Sequence, residues 1–321
     1  FYGKAIYFMK KIAFLISVCF SWMANAQQDF QITQNMFNKF AVNPAYAGAT
    51  SNLNASVLHR SQWVGFDGAP TTQILNVEMP VYALSGGVGL NVVNDNIGDG
   101  FTYRQVGLTY AYRGKLAEET FFGLGLNAGI YSVAFDFNEW KAPDGTSGDN
   151  DPHIPDTDAS AIVPDFGFGA YLQYKNYNFG ASSSHVVEYE VELDGGKNAA
   201  FNSNRHFYFI AEAKYEINRL WSFAPSVFIK TDQVKPQFDF ASNFIYKDIF
   251  TLGAAYRTFD AVALMMSYRY DDKILFGYSY DLTISELKSY NSGSHEVFVR
   301  YSLPIKVPPK ARTRYRNNRF L

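Results

Sequence analysis

The chain has 321 residues, a formal net charge of −2, 17% aromatic residues and only 18% charged ones. Disordered chains carry fewer aromatics and more charge, a basic nucleic-acid binder would not sit near neutrality, and beyond its first segment the sequence lacks the runs of about 20 apolar residues that build membrane helices. What remains is an aromatic-rich chain, low in charge and middling in hydropathy, an average that alternating membrane strands would give because half their residues face lipid and half do not.

The first element is a leader. Lys10 and Lys11 precede the apolar stretch Ile12–Phe20, and the small-x-small site Ala24-Asn25-Ala26 follows. A basic region, a short apolar core and such a site make a secretory signal peptide. Residues 1–26 are therefore read as the leader, with Sec export and cleavage after Ala26. Residues 1–8 are read as lying upstream of the natural start at Met9. Cys19, the single cysteine, falls inside the apolar core. It is misplaced for lipidation at a cleavage point, and the expected mature chain has neither disulfides nor cysteine metal sites.

Residues 27–50 are polar and turn-rich, and are expected to fill a lumen or to lie at a periplasmic rim. From Leu53 onward the sequence alternates. In Gln105-Val106-Gly107-Leu108-Thr109-Tyr110-Ala111-Tyr112, Val, Leu and both Tyr share one face and small or polar residues the other. Phe166–Leu172, Phe250–Arg257 and Val297–Tyr301 repeat the pattern. A soluble sandwich also alternates, but two details favour a membrane barrel. Aromatics gather at segment ends (Tyr174, Tyr177, Trp221, Tyr246, Tyr270, Tyr280), where interfacial girdles sit, and the other face carries mid-strand charge at Glu212, Lys214, Lys230 and Arg269. Such charge is costly in a sandwich core and ordinary in a barrel lumen.

About fourteen segments are expected: 53–63, 71–81, 86–96, 101–113, 121–137, 163–175, 177–189, 204–216, 221–234, 236–246, 250–259, 261–271, 273–285 and 294–303. Short turns at Tyr82–Ser85, Lys175-Asn176, Asn218-Arg219, Lys247-Asp248 and Asp271-Asp272 alternate with longer loops at 138–162, 190–203 and 287–293. That asymmetry of short periplasmic turns and longer external loops belongs to outer-membrane barrels. The reading is all-β: a transmembrane antiparallel outer-membrane barrel over residues 51–303, with both termini periplasmic. The tail, 304–321, carries Lys306, Lys310, Arg312, Arg314, Arg316 and Arg319 with no acidic residue. It reads as a solvated end, as a periplasmic docking arm for an acidic partner, or as a contact for anionic lipid or cell-wall polymer.

Three blocks of sequence go further. Gln34–Gly48, containing Asn43-Pro44-Ala45-Tyr46 and Gly48, resembles the opening of the PorP/SprF family of Bacteroidetes outer-membrane proteins. So does His59–Thr72, with Arg60-x-Gln62-Trp63 and Gly68-Ala69-Pro70. Gly87–Leu90, followed by Asp95 and Gly98, is the third. The resemblance implies an outer-membrane barrel of the type IX secretion and gliding-motility apparatus. Implied partners are outer-membrane lipid, a secreted adhesin or other cargo, and periplasmic secretion or motor components. The motif residues have two readings. Asn-Pro-Ala and Gly-Ala-Pro are turn chemistry, and Arg60 with Gln62 fit lumen-facing residues that hydrogen-bond the N-terminal segment; direct partner contact is the other. Trp63 is read as an interfacial anchor.

No catalytic constellation stands out. His59, His153, His185, His206 and His295 are dispersed along the chain. Ser184 and His185 are adjacent in an expected strand, where neighbours face opposite ways. Asp144, Asp149, Asp151, Asp156 and Asp158 crowd one loop without calcium-loop spacing, and read as a solvated acidic segment, with a calcium site as the alternative. No cofactor, metal or nucleic-acid site is expected. The functional expectation is a non-catalytic secretion component, with a porin-like passive channel as the alternative.

Overall fold

The computed structural model describes residues 29–98, 100–136, 159–192 and 200–306. The expected leader, the acidic loop aspartates, His153 and the tail from Lys310 onward lie outside the described residues.

Seventeen strands run in chain order: β1 Asn52–Ser61, β2 Thr71–Val81, β3 Gly86–Ile97, β4 Phe101–Ala117, β5 Thr120–Phe135, β6 Ala159–Tyr174, β7 Tyr177–Ser184, β8 Glu190–Glu192, β9 Ala200–Asn202, β10 His206–Ala213, β11 Tyr215–Glu216, β12 Trp221–Thr231, β13 Gln237–Tyr246, β14 Phe250–Arg257, β15 Ala261–Tyr270, β16 Ile274–Thr283 and β17 Ser294–Pro304. Fourteen of them close an antiparallel barrel. Neighbours in sequence pair around the wall, β1 pairs with β17, and β10 pairs with β12. The remaining three are small. β11 extends the β10 edge along β12, and β8 with β9 forms a separate hairpin inside the loop expected at 190–203.

The alternation in the sequence becomes the two faces of the wall. On β4, Val106, Leu108, Tyr110 and Tyr112 face out while Gln105, Gly107, Thr109 and Ala111 are buried within. Outward leucines such as Leu108, Leu126, Leu252 and Leu264 are 61–68% exposed, a ring of large apolar side chains that lipid, not water, would cover. At one rim, Trp221 packs on Tyr246 with ring centres 4.9 Å apart, and Tyr174, Phe250 and Tyr270 stand exposed beside them.

The two rims differ. Connections 82–85, 118–119, 175–176, 247–249 and 271–273 are tight and share one end, the turn rim. Lys247 and Asp248, and likewise Asp271 and Asp272, all have positive φ, as two-residue hairpins need if their twist is to match the strands. The opposite end, the loop rim, carries 62–70 and 284–293, with the described residues 136, 185–192 and 200–205 of the other connections.

The described ends of the chain are separated along the barrel axis. Ile305 N–H donates to Ser51 O at the turn rim. Asp29 N–H instead donates to His206 Nε2 beside the loop rim, 3.0 Å away. Residues 29–50 therefore run through the lumen from the loop rim to the turn rim before β1 turns back along the wall.

Candidate functional site

The lumen is the place where the chain's chemistry converges, and residues 29–50 occupy it. Local sequence shapes this segment. Asn43 accepts a hydrogen bond from Ala45 N–H and caps a 3-10 turn over Pro44–Tyr46, a proline-first turn typical of such a cap. Asn43 Nδ2 then donates to Ala170 O at 3.0 Å, and Tyr46 meets Tyr171 edge-on at 5.3 Å.

Glycines on the wall make room for this turn. A Cβ on Gly125 would run into the Pro44–Ala45 backbone, and one on Gly169 into Asn43 and Pro44. Further down, Gly48 has φ +66°, which favours glycine, and its Cα lies against the Cα of Gly87. Its N–H donates to Glu78 Oε2 at 2.7 Å. A Cβ on Gly89 would meet the Phe40 ring. The inward glycines thus leave space that the segment itself takes up.

Buried charge fixes the segment in the middle of the lumen. Arg60, 1% exposed, donates from Nη2 to Asp281 Oδ2 at 2.8 Å and from Nη1 to Glu296 Oε2 at 3.2 Å. Arg257 donates to the same Asp281 oxygen at 2.9 Å and to Asp239 at 3.2 Å. Thr33 sits at the centre: its hydroxyl donates to Asp281 and accepts from Arg60 and Arg257. Glu296 accepts the backbone N–H groups of Thr33 and Gln34, each at 2.8 Å. Every charge here has a partner of opposite sign, as burial demands. Lys39 pairs with Glu212 across the lumen.

At the loop-rim end the segment closes the floor of a cavity of about 600 Å³. Asp29 is buried there among Tyr103, His185, His206 and Tyr208. Its carboxylate accepts from the Tyr208 hydroxyl and from Ser184 Oγ at 3.2 Å. Lys230 Nζ donates to Asp29 O at 2.9 Å. His185 Nδ1 lies 2.7 Å from Asp165 Oδ1, and its Nε2 lies 3.2 Å from the Tyr103 hydroxyl. Burial raises the Asp29 pKa, yet His185, His206, the Tyr208 hydroxyl and Lys230 together bring it below the ordinary carboxylate value. For His185, burial lowers the pKa, and Asp165 and Asp29 outweigh it and raise it.

The motif residues fall into two groups. Asn43, Pro44, Ala45, Tyr46, Gly48 and Arg60 make the lumen contacts described above. Gln62, Trp63, Pro70 and Asp95 border the loop-rim cavity. Gln62 N–H donates to Pro70 O at 2.9 Å, Ala69 N–H to Phe66 O at 3.1 Å, and Gly98 N–H to Gly68 O at 2.9 Å, so these residues hold neighbouring rim loops together. Trp63, expected at the lipid interface, borders the cavity; its backbone N–H donates to Ser294 Oγ at 3.1 Å and its φ is +46°. Lys306, the described part of the basic tail, is exposed at the turn rim.

Several sequence expectations are corrected here. Ser184 and His185 do not face opposite ways, because β7 ends at Ser184 and His185 has φ +50°, so both reach Asp29. The histidines are not all dispersed: the rings of His185 and His206 are 6.2 Å apart. No local spacing signals this pair; it arises from the pairing of β7 with β10, which sets His206 opposite Ser184, next to His185. Of the mid-strand charges, Glu212 and Lys230 do face the lumen, whereas Lys214 pairs with Asp248 at the turn rim and Arg269 donates to Asp248 O there. Among the described residues no group of three or more His, Cys, Asp or Glu is placed to hold a metal ion.

Comparison with known proteins follows the same lines. No curated protein matches the chain. Among solved structures it is similar to the Ralstonia pickettii toluene transporter TbuX, at 12% identity and TM-score 0.49 over 88% of this chain and 97% of that one. It is also similar to the Pseudomonas putida toluene transporter TodX, at 10% identity and TM-score 0.47 over 87% and 95%. The Acinetobacter baumannii outer membrane protein Omp33 aligns at 8% identity and TM-score 0.42 over 79% and 99%. The family model described as type IX secretion system membrane protein PorP/SprF matches residues 24–301, which span the lumen segment and the barrel wall. The chain belongs to the PorP/SprF family of type IX secretion system membrane proteins.

Proposed function

We propose that this outer-membrane barrel works without catalysis, as a structural component of type IX secretion and gliding motility that supports export or surface retention of a secreted adhesin. The observation that carries the reading is the lumen. A passive channel needs an unobstructed path, whereas here residues 29–50 are tied to the wall by buried ion pairs and close glycine contacts. A filled barrel suits an anchor and docking platform better than a pore.

In this reading the loop rim faces outward and the turn rim faces the periplasm, following the usual asymmetry of such barrels. Loops 138–162 and 190–203 hold the adhesin. The basic tail, beginning at Lys306 and including Lys310, Arg312, Arg314, Arg316 and Arg319, contacts acidic surfaces of the periplasmic motor or ring by charge complementarity. The leader at 1–26 delivers the chain to the Sec route, and the motif residues of the lumen hold the fold.

Affinity purification in mild detergent with mass spectrometry tests the reading. The intact protein is expected to co-purify with secretion components and a large surface adhesin, and deletion of 306–321 to lose the periplasmic partners while keeping the adhesin. Recovery of the barrel alone, with solute uptake as the only deletion phenotype, would contradict it.

A further inference from the structure

The cavity at the loop rim has features that the anchoring role does not need. Among the described residues of the loop rim, the non-glycine residues with positive φ are Trp63, His185, Gln233 and Phe259, at 46°, 50°, 72° and 61°, Phe259 within the short turn 258–260. All but Gln233 border this one cavity. An aromatic residue in the left-handed region costs conformational free energy, and such residues cluster where a ligand is held. Phe259 is also 81% exposed, so neither core packing nor backbone preference accounts for an aromatic at a position that suits glycine.

The polar groups on the same wall are incompletely used. Asp95 is 3% exposed, and among the described residues its carboxylate receives one hydrogen bond, from Thr72 Oγ1 at 2.6 Å, and no ion pair. The side-chain amides of Gln62 and Asn204 make no hydrogen bond to other described residues. A carboxylate only accepts, so its missing partner must donate. Lys230 is already held by Asp29 O and by Gln31 Oε1, at 2.9 and 2.8 Å, which leaves Lys235 as the available cation.

We infer that this cavity is a binding site for a short, uncharged oligosaccharide. The exposed Phe259 ring and the partly exposed Trp63 ring accept the C–H face of a pyranose, while Asp95 accepts and Gln62 and Asn204 donate or accept from ring hydroxyls. The volume of about 600 Å³ lies within the roughly 300–1,000 Å³ of small-molecule sites. A peptide strand is disfavoured, because the closed barrel wall offers no free edge for backbone pairing and the β8–β9 hairpin does not border the cavity. A polyanionic glycan would meet the Asp95 carboxylate with Lys235 alone available to offset its repeated charges among the described lining residues.

The test is titration of the purified full-length protein in detergent with maltotetraose, cellotetraose and chitotetraose, followed by calorimetry, with tetragalacturonate as the acidic comparison. At least one neutral tetrasaccharide is expected to bind with a Kd of about 1 mM or tighter, and tetragalacturonate to bind more weakly. Trp63→Ala and Asp95→Asn should each weaken binding about tenfold. Phe259→Gly should also weaken it while leaving the thermal midpoint unchanged or higher, because glycine relieves the strained φ. That opposition of stability and affinity separates a ligand platform from a structural aromatic. Failure of all three neutral sugars to bind saturably, binding unaffected by the three substitutions, or preference for the acidic sugar would overturn the proposal.

Discussion

Arg60 and Thr33 meet inside the barrel, with Arg60 Nη1 donating to Thr33 Oγ1 at 2.9 Å although β1 and the lumen segment run in separate layers. The contact ties a wall strand to the segment it encloses, and both residues share Asp281.

Arg60→Ala is therefore expected to be among the most damaging single changes in the lumen. It leaves Glu296 buried without its guanidinium partner and removes a donor from Thr33 and Asp281, a loss of about 3–5 kcal/mol for a broken buried pair. Thr33→Val removes only the bridging hydroxyl and should cost about 1–3 kcal/mol. Thermal unfolding in detergent, followed by the shift in gel mobility of folded barrels, would rank the two; equal or negligible losses would contradict the arrangement.

The glycine contacts predict a steric effect without charge. Gly125→Val and Gly87→Val place side chains where the backbones of Pro44–Ala45 and Ala47–Gly48 now lie. The barrel wall can keep its ladder, so the lumen segment should yield first. Because Cys19 is the only native cysteine and lies in the expected leader, a cysteine placed at Ala45 reports on this directly. It should resist a water-soluble maleimide in the parent and react in the Gly125→Val background.

The Asp29–His185–Asp165 cluster gives the protein a pH signature. The His185 pKa is raised above its ordinary 6.5, so its contribution is complete below that value and is lost as pH rises through the raised folded-state pKa. The Asp29 pKa is lowered below 3.8, so its contribution is present above that value and is lost as pH falls through the lowered one. The part of the thermal midpoint that His185 contributes should decline as pH rises above 6.5. His185→Gln should flatten that decline and leave the acid limb in place. An unchanged alkaline limb in the variant would remove His185 from the account.

Much of the wall is legible in the sequence, because a strand's two faces are written in period two. Val106, Leu108, Tyr110 and Tyr112 announce their lipid face without any tertiary information, and Phe166 with Phe168 does the same on β6. The tight turns are equally local: Asp271-Asp272 needs only its own left-handed conformations. The lumen is harder to read. Lys39 and Glu212 meet only because the barrel closes, and no local pattern pairs them. The glycines of β5 and β6 show that space exists inside but not what fills it. Ser184-His185 misleads because the alternation rule holds only while the strand lasts, and β7 stops one residue earlier. The 190–203 loop, read as irregular, gains a short hairpin from Glu190–Glu192 pairing with Ala200–Asn202.

The central claim is that residues 29–50 occupy the lumen and make the barrel a secretion component and not a pore. Single-channel recording of the purified full-length protein in a planar bilayer tests it most directly. The account predicts a membrane that stays silent apart from brief, rare events, with stepwise conductance emerging when Gly125→Val displaces the segment. Steady, large conductance steps from the unmodified protein would contradict it.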